Sequence, residues 1–488
     1  MNSGAASLRP RSMKMPEPLL NSGGLRGLYV RTFGCQMNEY DSLRVQRLLA
    51  AMGYVPVDEI GRADVIFLNT CSVRGKAEQK VHSFLGSLRR LKDAKPHLKI
   101  IAGGCVAQQL GEKLLDRFDH LDIVIGTRAV SSVAQVLQRV QESGGRLAWL
   151  PETDDGYQMS EIGSETDDGY QMSEIGFPTP DLRPPTSDIR YPTSVTAPVT
   201  VMQGCNNYCS YCIVPYVRGP ERSRPAGQIL EEIRLLEESG VREILLLGQN
   251  VNSYGRGLDE KITFVGLLRR IARQTGVARI RFTTSHPKDL TDELMSCFAE
   301  IDPLCKHLHL PVQAGSDRIL ARMNRGYTAA GYVEKIRRLR SICPEIALTS
   351  DVIVGFPGET EDDFQKTMEL LDEARFDNLF SFRYSDRPNT RAAAFPDKVE
   401  NSEAARRLLE LQSYQADITL GKNLAEVGSV RDVLVEGTSR ASNGQMTGRT
   451  TQNRIVNFEA PLSSIGQICS VKVVFAYSHS LKGVFIAK

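Results

Sequence analysis

The stretch Gln203-Gly204-Cys205-Asn206-Asn207-Tyr208-Cys209-Ser210-Tyr211-Cys212 contains three cysteines at a C-x3-C-x2-C spacing. A structural zinc site normally takes four protein ligands, and no fourth cysteine or histidine lies close enough in sequence to complete one. Three thiolates suit a cubane iron–sulfur cluster better, because one iron then stays free for an exchangeable ligand. The alternative is three cysteines packed as small apolar side chains. Their polar neighbours Asn206, Asn207 and Ser210 disfavour it, so we predict a metal centre.

The residues after the third cysteine extend this pattern. From Cys212 to Pro225 the chain reads Cys-Ile-Val-Pro-Tyr-Val-Arg-Gly-Pro-Glu-Arg-Ser-Arg-Pro, and with the cysteine spacing it resembles the methylthiotransferase family of radical S-adenosylmethionine (SAM) enzymes. The resemblance implies that Cys205, Cys209 and Cys212 hold a [4Fe-4S] cluster whose open iron binds the amino and carboxylate groups of SAM. It also implies that reduction cleaves SAM to a 5′-deoxyadenosyl radical.

Length and composition limit the class of protein. A chain of 488 residues exceeds what one hydrophobic core usually supports, so we expect two to four domains. Its 41% hydrophobic and 24% charged residues are typical of a soluble protein with no membrane span. Residues 1–26 lack the apolar core of a secretory signal and are predicted to be a disordered tail. Ten cysteines at long, unequal intervals do not resemble a disulfide scaffold, which favours a reducing, cytoplasmic location.

Residues 27–147 alternate short apolar runs with amphipathic stretches, which predicts an α/β domain with a parallel sheet. Cys35, Cys71 and Cys105 each follow a predicted strand, 36 and 34 residues apart. The carboxyl ends of parallel strands share one edge, and neighbouring strands are only about 4.8 Å apart, so these thiols are expected to converge in a second metal site. Three unrelated cysteines are the alternative. The family resemblance implies an auxiliary [4Fe-4S] cluster at this trio.

Residues 148–198 are rich in Asp, Glu, Ser, Pro and Gly. The segment Glu-Thr-Asp-Asp-Gly-Tyr-Gln-Met-Ser-Glu-Ile-Gly occurs twice without change, at 152–163 and 165–176. With so few apolar residues this duplication cannot build a core, so we predict an acidic, mobile linker.

Residues 199–428 return to strand and helix alternation, with about six βα units. This number predicts a partial (β/α)6 barrel, open on one side, with its functional groups at the carboxyl ends of the strands. The first cysteine stretch lies after the first of these strands. Polar and glycine-rich segments follow other strands, and in the family such segments bind SAM. The resemblance therefore implies cofactor contacts from Tyr211, Gln249 and Gln313.

Basic residues suggest where an anionic substrate binds. Arg218, Arg222 and Arg224 follow the cysteine stretch, and a solvated charged loop is the alternative reading. The basic residues between Arg322 and Arg340, which include Arg325, are further candidates for the same surface.

Residues 429–488 contain five short β-prone runs, which predict a small β-barrel resembling the TRAM domain. From residue 431 onward the chain has seven basic side chains, Arg449 among them, and three acidic ones. This excess of positive charge favours RNA contact.

The predicted fold class is therefore α/β: an N-terminal parallel-sheet domain, a central partial radical SAM barrel and a C-terminal TRAM-like barrel. The segments at 69–74, 247–253 and 323–328 most resemble family members that act on tRNA. The resemblance then implies addition of a methylthio group to C2 of N6-isopentenyladenosine-37 (i6A to ms2i6A) in the anticodon stem-loop, with two SAM consumed. An aromatic C–H there is too unreactive for acid–base chemistry, so the cofactor must supply a radical.

The same resemblance implies partners other than tRNA: an electron donor such as flavodoxin or ferredoxin, and a sulfur donor. A monomer is expected. Two alternatives within the family are modification of a ribosomal protein aspartate and modification of N6-threonylcarbamoyladenosine (t6A) in tRNA. An alternative of another class is a non-catalytic iron–sulfur RNA-binding protein, which would not cleave SAM.

Overall fold

The computed structural model describes residues 25–72, 75–151, 159–162, 194–439 and 444–486. Most of the expected N-terminal tail and the second copy of the duplicated segment lie outside these residues. Within them, the N-terminal part forms a seven-stranded sheet in the order β2-β1-β3-β4-β5-β6-β7. Its strands are β1 Arg26–Thr32, β2 Tyr54–Pro56, β3 Val65–Thr70, β4 Lys99–Gly104, β5 Ile123–Ile125, β6 Arg146–Trp149 and β7 Met159–Ile162.

Helices cover both faces of this sheet. The central strand β3 is buried along its whole length, with Ile66 and Leu68 in one apolar cluster and Val65 and Phe67 in the other. This is the pattern of a parallel sheet buried on both faces. The helices are α1 Gln36–Ala50, α2 Gly75–Ser87, α3 Arg89–Ala94, α4 Cys105–Leu110, α5 Glu112–Arg117 and α6 Val133–Ser143.

The expectation of an unstructured linker throughout 148–198 is wrong at both ends and at one internal segment. Strand β6 continues to Trp149, β7 pairs with it in antiparallel register, and the next strand begins at Thr196. An edge strand needs only backbone hydrogen bonds to one neighbour, so a segment with few apolar residues can still form one. Residues 152–158 and 163–193 of the predicted linker lie outside the described residues.

The central part is a half-open barrel of six parallel strands, as predicted. Strands β8, β11 and β12 form one three-stranded sheet and β13, β14 and β15 form another. A parallel bridge between Ile280 and Leu304 joins the two. The six strands are β8 Thr196–Thr200, β11 Glu243–Leu247, β12 Arg279–Phe282, β13 His307–His309, β14 Ala347–Val354 and β15 Asn378–Arg383. Two further short strands, β9 Met202–Gln203 and β10 Arg222–Ser223, form a separate antiparallel pair.

Eight helices accompany these strands, and side-chain caps begin several of them. Thr360, for example, accepts from the Asp363 N–H while the Asp363 carboxylate accepts from the Thr360 N–H. The longest helix among the described residues, α14, was not among the elements expected from the sequence. The helices are α7 Val214–Arg218, α8 Ala226–Glu238, α9 Phe264–Gln274, α10 Asp292–Glu300, α11 Asp317–Arg322, α12 Ala329–Ile342, α13 Glu361–Ala374 and α14 Asn401–Leu424.

The C-terminal part is a closed barrel of five strands, which confirms the predicted number. Its order is β16-β17-β18-β20-β19, and β19 also pairs with β16. The strands are β16 Val430–Thr438, β17 Met446–Arg449, β18 Ile455–Phe458, β19 Ile468–Ala476 and β20 Leu481–Phe485. Arg279 holds this barrel against the larger one by donating to the carbonyl oxygens of Arg449 and Asp432, the latter at 2.9 Å.

Candidate active site

The first cysteine trio lies in the loop between β9 and α7, at the carboxyl end of the barrel's first strand. Cys205 and Cys209 are buried and Cys212 is half-buried. Gly204 has φ +80°, and a Cβ there would overlap the carbonyl oxygen of Pro220. Glycine is therefore required for the turn that presents Cys205. Burial is the main cause that raises the pKa of the Cys212 thiol to about 12, and the neighbouring Cys209 is the second.

Arg325 contacts this trio from the loop between α11 and α12. Its Nη1 donates to Cys209 Sγ at 3.3 Å and to the Tyr211 hydroxyl at 3.4 Å, and its Nη2 donates to the Pro311 carbonyl at 2.8 Å. The prediction that Arg325 belongs to a solvent-facing basic surface is wrong, because only 4% of it is exposed.

The second trio lies at the carboxyl edge of the N-terminal sheet. Cys35 precedes α1, Cys71 follows β3 and Cys105 begins α4. Gly34 has φ +122°, and a Cβ there would come within 2.7 Å of Cys71 Sγ. The first two cysteines are thus close together, as the strand order predicts. Cys105 is also near them, because the charge of Cys35 helps to raise the pKa of the Cys105 thiol.

Arg218 fills the space between this trio and the barrel. It is 4% exposed and donates to Asn38 Oδ1 at 2.9 Å and to Asp41 Oδ2 at 3.1 Å. Burial opposes its charge, but Cys105, Asp41 and Cys35 together raise its pKa above the ordinary value. The prediction that Arg218 contacts RNA is therefore wrong: its guanidinium is enclosed by protein and faces thiols and a carboxylate.

One cavity of about 1500 Å³ joins the two trios. Its lining includes Cys35 and Cys71 from the N-terminal domain and Cys212 from the barrel, and it continues along the barrel interior to the C-terminal barrel. Cys105 lies behind it, packed against Ile213 and Val217. The two sets of thiols therefore approach a common space from opposite sides.

The donor chemistry of both trios fits iron–sulfur clusters. Each trio offers three thiols, and in each a glycine with positive φ directly precedes a cysteine, Gly34 before Cys35 and Gly204 before Cys205. No group of three or more Cys, His, Asp or Glu side chains in the described part of the chain is spaced to hold a single metal ion. A cluster spreads its ligands over several irons and so requires wider spacing than one ion does.

The residues predicted to contact SAM divide into two groups. Tyr211 and Gln313 line the cavity. Gln313 has φ +74°, an uncommon conformation for a residue other than glycine and one that is often found at functional sites. Gln249 lies instead under the cysteine loop, where its Oε1 accepts from the Gly204 N–H at 2.6 Å. This hydrogen bond therefore helps to hold the backbone of the cysteine loop in place.

The other predicted RNA contacts also occupy different environments. Arg222 is exposed on β10. Arg224 joins the two larger domains by donating to Thr200 O, to the Tyr40 hydroxyl and to Glu232, so a direct phosphate contact is not its role. Arg449 pairs with Glu436 at 3.1 Å and lines the far end of the cavity. A spacing pattern carries no information on burial, which is why these roles were missed.

A half-open six-stranded barrel with a three-cysteine loop after its first strand defines a radical SAM enzyme. Residues 199–371 match the Radical SAM superfamily, residues 27–126 match "Uncharacterized protein family UPF0004" and residues 424–486 match the TRAM domain. The tRNA-2-methylthio-N(6)-dimethylallyladenosine synthase of Syntrophobacter fumaroxidans is 60% identical over 95% of this chain and 96% of its own length. Its counterpart from Geobacter sulfurreducens is 48% identical over 94% and 97%. The chain belongs to the tRNA-2-methylthio-N(6)-dimethylallyladenosine synthase family of radical SAM methylthiotransferases.

Solved structures support the fold. The radical SAM methyltransferase TsrM from Kitasatospora setae, with cobalamin and a [4Fe-4S] cluster bound, superimposes with a TM-score of 0.52 at 13% identity, over 76% of this chain and 74% of that one. As a radical SAM enzyme the chain uses an iron–sulfur cluster and SAM. No helix in the described ranges is both long and apolar enough to cross a bilayer.

Proposed function

We propose that this enzyme adds a methylthio group to C2 of N6-isopentenyladenosine-37 in tRNA, converting i6A to ms2i6A with two SAM per product. The observation that carries the proposal is a cavity lined by thiols of both trios. A sulfur-inserting enzyme must bring a sulfur source and SAM to the same carbon, and this cavity provides that common space. The names of its full-length relatives support the same substrate.

Two clusters follow from this proposal. Cys205, Cys209 and Cys212 would hold the cluster that binds SAM, and Cys35, Cys71 and Cys105 would hold an auxiliary [4Fe-4S] cluster. When bound, SAM and the clusters supply the radical and sulfur chemistry that no protein side chain provides.

The protein's own residues bind and orient the base. Phe380 and Phe382 project from β15 into the cavity at the open side of the barrel and remain partly exposed. Their apolar faces suit an adenine that carries an isopentenyl group. A loop nucleotide is easily unstacked, and aromatic side chains then replace its neighbours. His309, which lies against the Phe380 ring at 5.9 Å, holds that ring in place.

The C-terminal barrel is positioned to bind the anticodon stem-loop. Its outer face presents Phe475 and Tyr477, about half exposed and 4.9 Å apart at their ring centroids, beside Lys482 on the paired strand. Aromatic faces stack on bases and lysines neutralise phosphates. We further propose a flavodoxin- or ferredoxin-type electron donor, an external sulfur donor, a monomeric state and a cytoplasmic location, where tRNA is modified.

The test is mass spectrometry of tRNA nucleosides after anaerobic incubation of reconstituted enzyme with SAM and reductant. We expect ms2i6A from tRNA that carries i6A and no methylthio product from tRNA that lacks the isopentenyl group. Replacing Cys205, Cys209 and Cys212 by Ala should abolish 5′-deoxyadenosine while iron stays in the other trio. A methylthio group on i6A-free tRNA or on a ribosomal protein would overturn the assigned substrate.

A further inference from the structure

Arg325 is a buried cation beside the cysteine loop. All four of its hydrogen-bond partners are neutral groups or a thiol: the Tyr327 and Tyr211 hydroxyls, the Pro311 carbonyl and Cys209 Sγ. Within the part of the chain that the structure describes, Tyr211, Tyr327 and Cys209 are the groups whose charge would raise the pKa of Arg325, and no carboxylate pairs with it. Burying a charge without a partner is unfavourable, so this arrangement requires compensation.

The other buried arginines show how this chain normally compensates such a charge. Arg218 pairs with Asp41, Arg281 with Glu243 and Arg407 with Glu359, at 2.9 to 3.1 Å. Arg279 has only carbonyl partners, and it lies at the other end of the barrel from the cysteines. Arg325 alone among these five donates to a thiol of the first trio.

The position of Arg325 relative to the cysteine loop is fixed by a set of cross-loop bonds. The Ser210 N–H donates to Met323 O at 3.0 Å, and the Ser210 hydroxyl donates to Arg322 O at 2.8 Å. Asn324 Nδ2 donates to Tyr208 O at 3.0 Å. These bonds connect the segment that carries Arg325 directly to the loop that carries Cys209.

We propose that Arg325 is a positioning residue that acts through Cys209 to raise the reduction potential of the iron–sulfur cluster held by the first trio. A cluster held by thiolates is negatively charged, and its reduction adds one electron and hence one further negative charge. A guanidinium that donates to a ligand sulfur stabilises the reduced form more than the oxidised form. The cluster in turn supplies the anion that the buried guanidinium lacks.

The proposal rests on the radical SAM class of the enzyme and not on its tRNA substrate, so the two can fail separately. The test is an EPR-monitored redox titration of reconstituted full-length enzyme, in which dithionite supplies the single electron. The signal that changes when SAM is added identifies the cluster of the first trio. The variants are Arg325→Gln, which removes the charge, and Arg325→Lys, which keeps a charge but loses the planar set of donors. Arg279→Gln is the matched control, a buried arginine remote from the cysteines.

For Arg325→Gln we expect the ratio of reduced to oxidised cluster, at the wild-type midpoint potential, to fall about tenfold, which is a 59 mV shift for one electron. Arg325→Lys should shift in the same direction by less, and Arg279→Gln should keep the wild-type midpoint. A midpoint unchanged in Arg325→Gln at wild-type iron content would overturn the proposal. If that variant fails to load iron, Arg325→Lys decides, and a wild-type midpoint in it would also overturn the proposal.

Discussion

Arg218, the last residue of α7, donates to Asp41 of α1 at 3.1 Å, and both side chains are buried. Helix α7 begins two residues after Cys212, so this ion pair connects the loop of the first trio to the domain of the second. The ion pair therefore helps to set the relative placement of the two groups of thiols that share the cavity.

Removing the carboxylate of this pair should destabilise the enzyme strongly. Asp41→Asn keeps the shape of the side chain but leaves Arg218 as an unpaired buried charge, which typically costs about 3 to 5 kcal/mol. Urea unfolding followed by circular dichroism measures the change. Asp58→Asn, at an exposed aspartate, is the control and should change the free energy of unfolding little. Equal values for the two variants would show that the pair contributes nothing to stability.

Gly34→Ala should remove the auxiliary cluster selectively. An alanine Cβ would press against Cys71 and the backbone would be strained at φ +122°. We expect reconstituted protein to contain about four irons per chain where the wild type contains about eight, with 5′-deoxyadenosine formation retained. Gly53→Ala is the matched control, because Gly53 has φ +84° but open space around its Cα. Full iron content in Gly34→Ala would contradict the assigned position of this cluster.

His286 should make the protein less stable in mild acid. Burial, and next the charge of Arg325, lower the pKa of His286 from 6.5 to about 2. The unfolded chain therefore takes up a proton below pH 6.5 that the folded chain excludes until about pH 2, so stability falls as pH decreases through this interval. Between pH 6.5 and 5 this histidine should cost the wild type about 2 kcal/mol.

The variant His286→Asn isolates this effect. Its amide oxygen can still accept from the Lys288 N–H as the imidazole Nδ1 does, but it takes up no proton. Urea midpoints at the two pH values should therefore differ less in this variant than in the wild type. A pH dependence in His286→Asn identical to that of the wild type would refute the prediction.

The aromatic pair on the C-terminal barrel should contribute to tRNA affinity. Replacing Phe475 or Tyr477 by Ala should weaken binding by about 1 to 3 kcal/mol, the usual contribution of one base stacked on an aromatic ring.

Replacing Lys482 by Ala should instead reduce the slope of log K against log salt by about 0.7 to 0.9, the value for one lost phosphate contact. Fluorescence anisotropy with a labelled anticodon stem-loop measures both. Leu409→Ala, at an exposed apolar residue of α14, should leave affinity unchanged, and wild-type affinity in the aromatic variants would place the RNA elsewhere.

Much of the architecture follows from local patterns in the sequence and could be predicted from them. The three cysteines of the first trio are neighbours within one loop, so their spacing alone indicates a cluster. The alternation of apolar strands and amphipathic helices gives the order of βα units, and five short β-prone runs correspond to the five strands of the C-terminal barrel. The placement of Cys35, Cys71 and Cys105 after β1, β3 and β4, which are neighbours in the sheet, follows from the same periodicity.

The environment of each charge, by contrast, was decided only by the tertiary structure. Arg218 and Arg325 read as members of basic loops, yet they are buried against cysteine trios. Arg325 and Cys209 are 116 residues apart, and Arg218 and Asp41 are 177 apart. Whether an arginine faces solvent or a thiol depends on which distant segments fold over it. Edge strand β7 formed despite its composition for a related reason, because backbone pairing requires only an available neighbour.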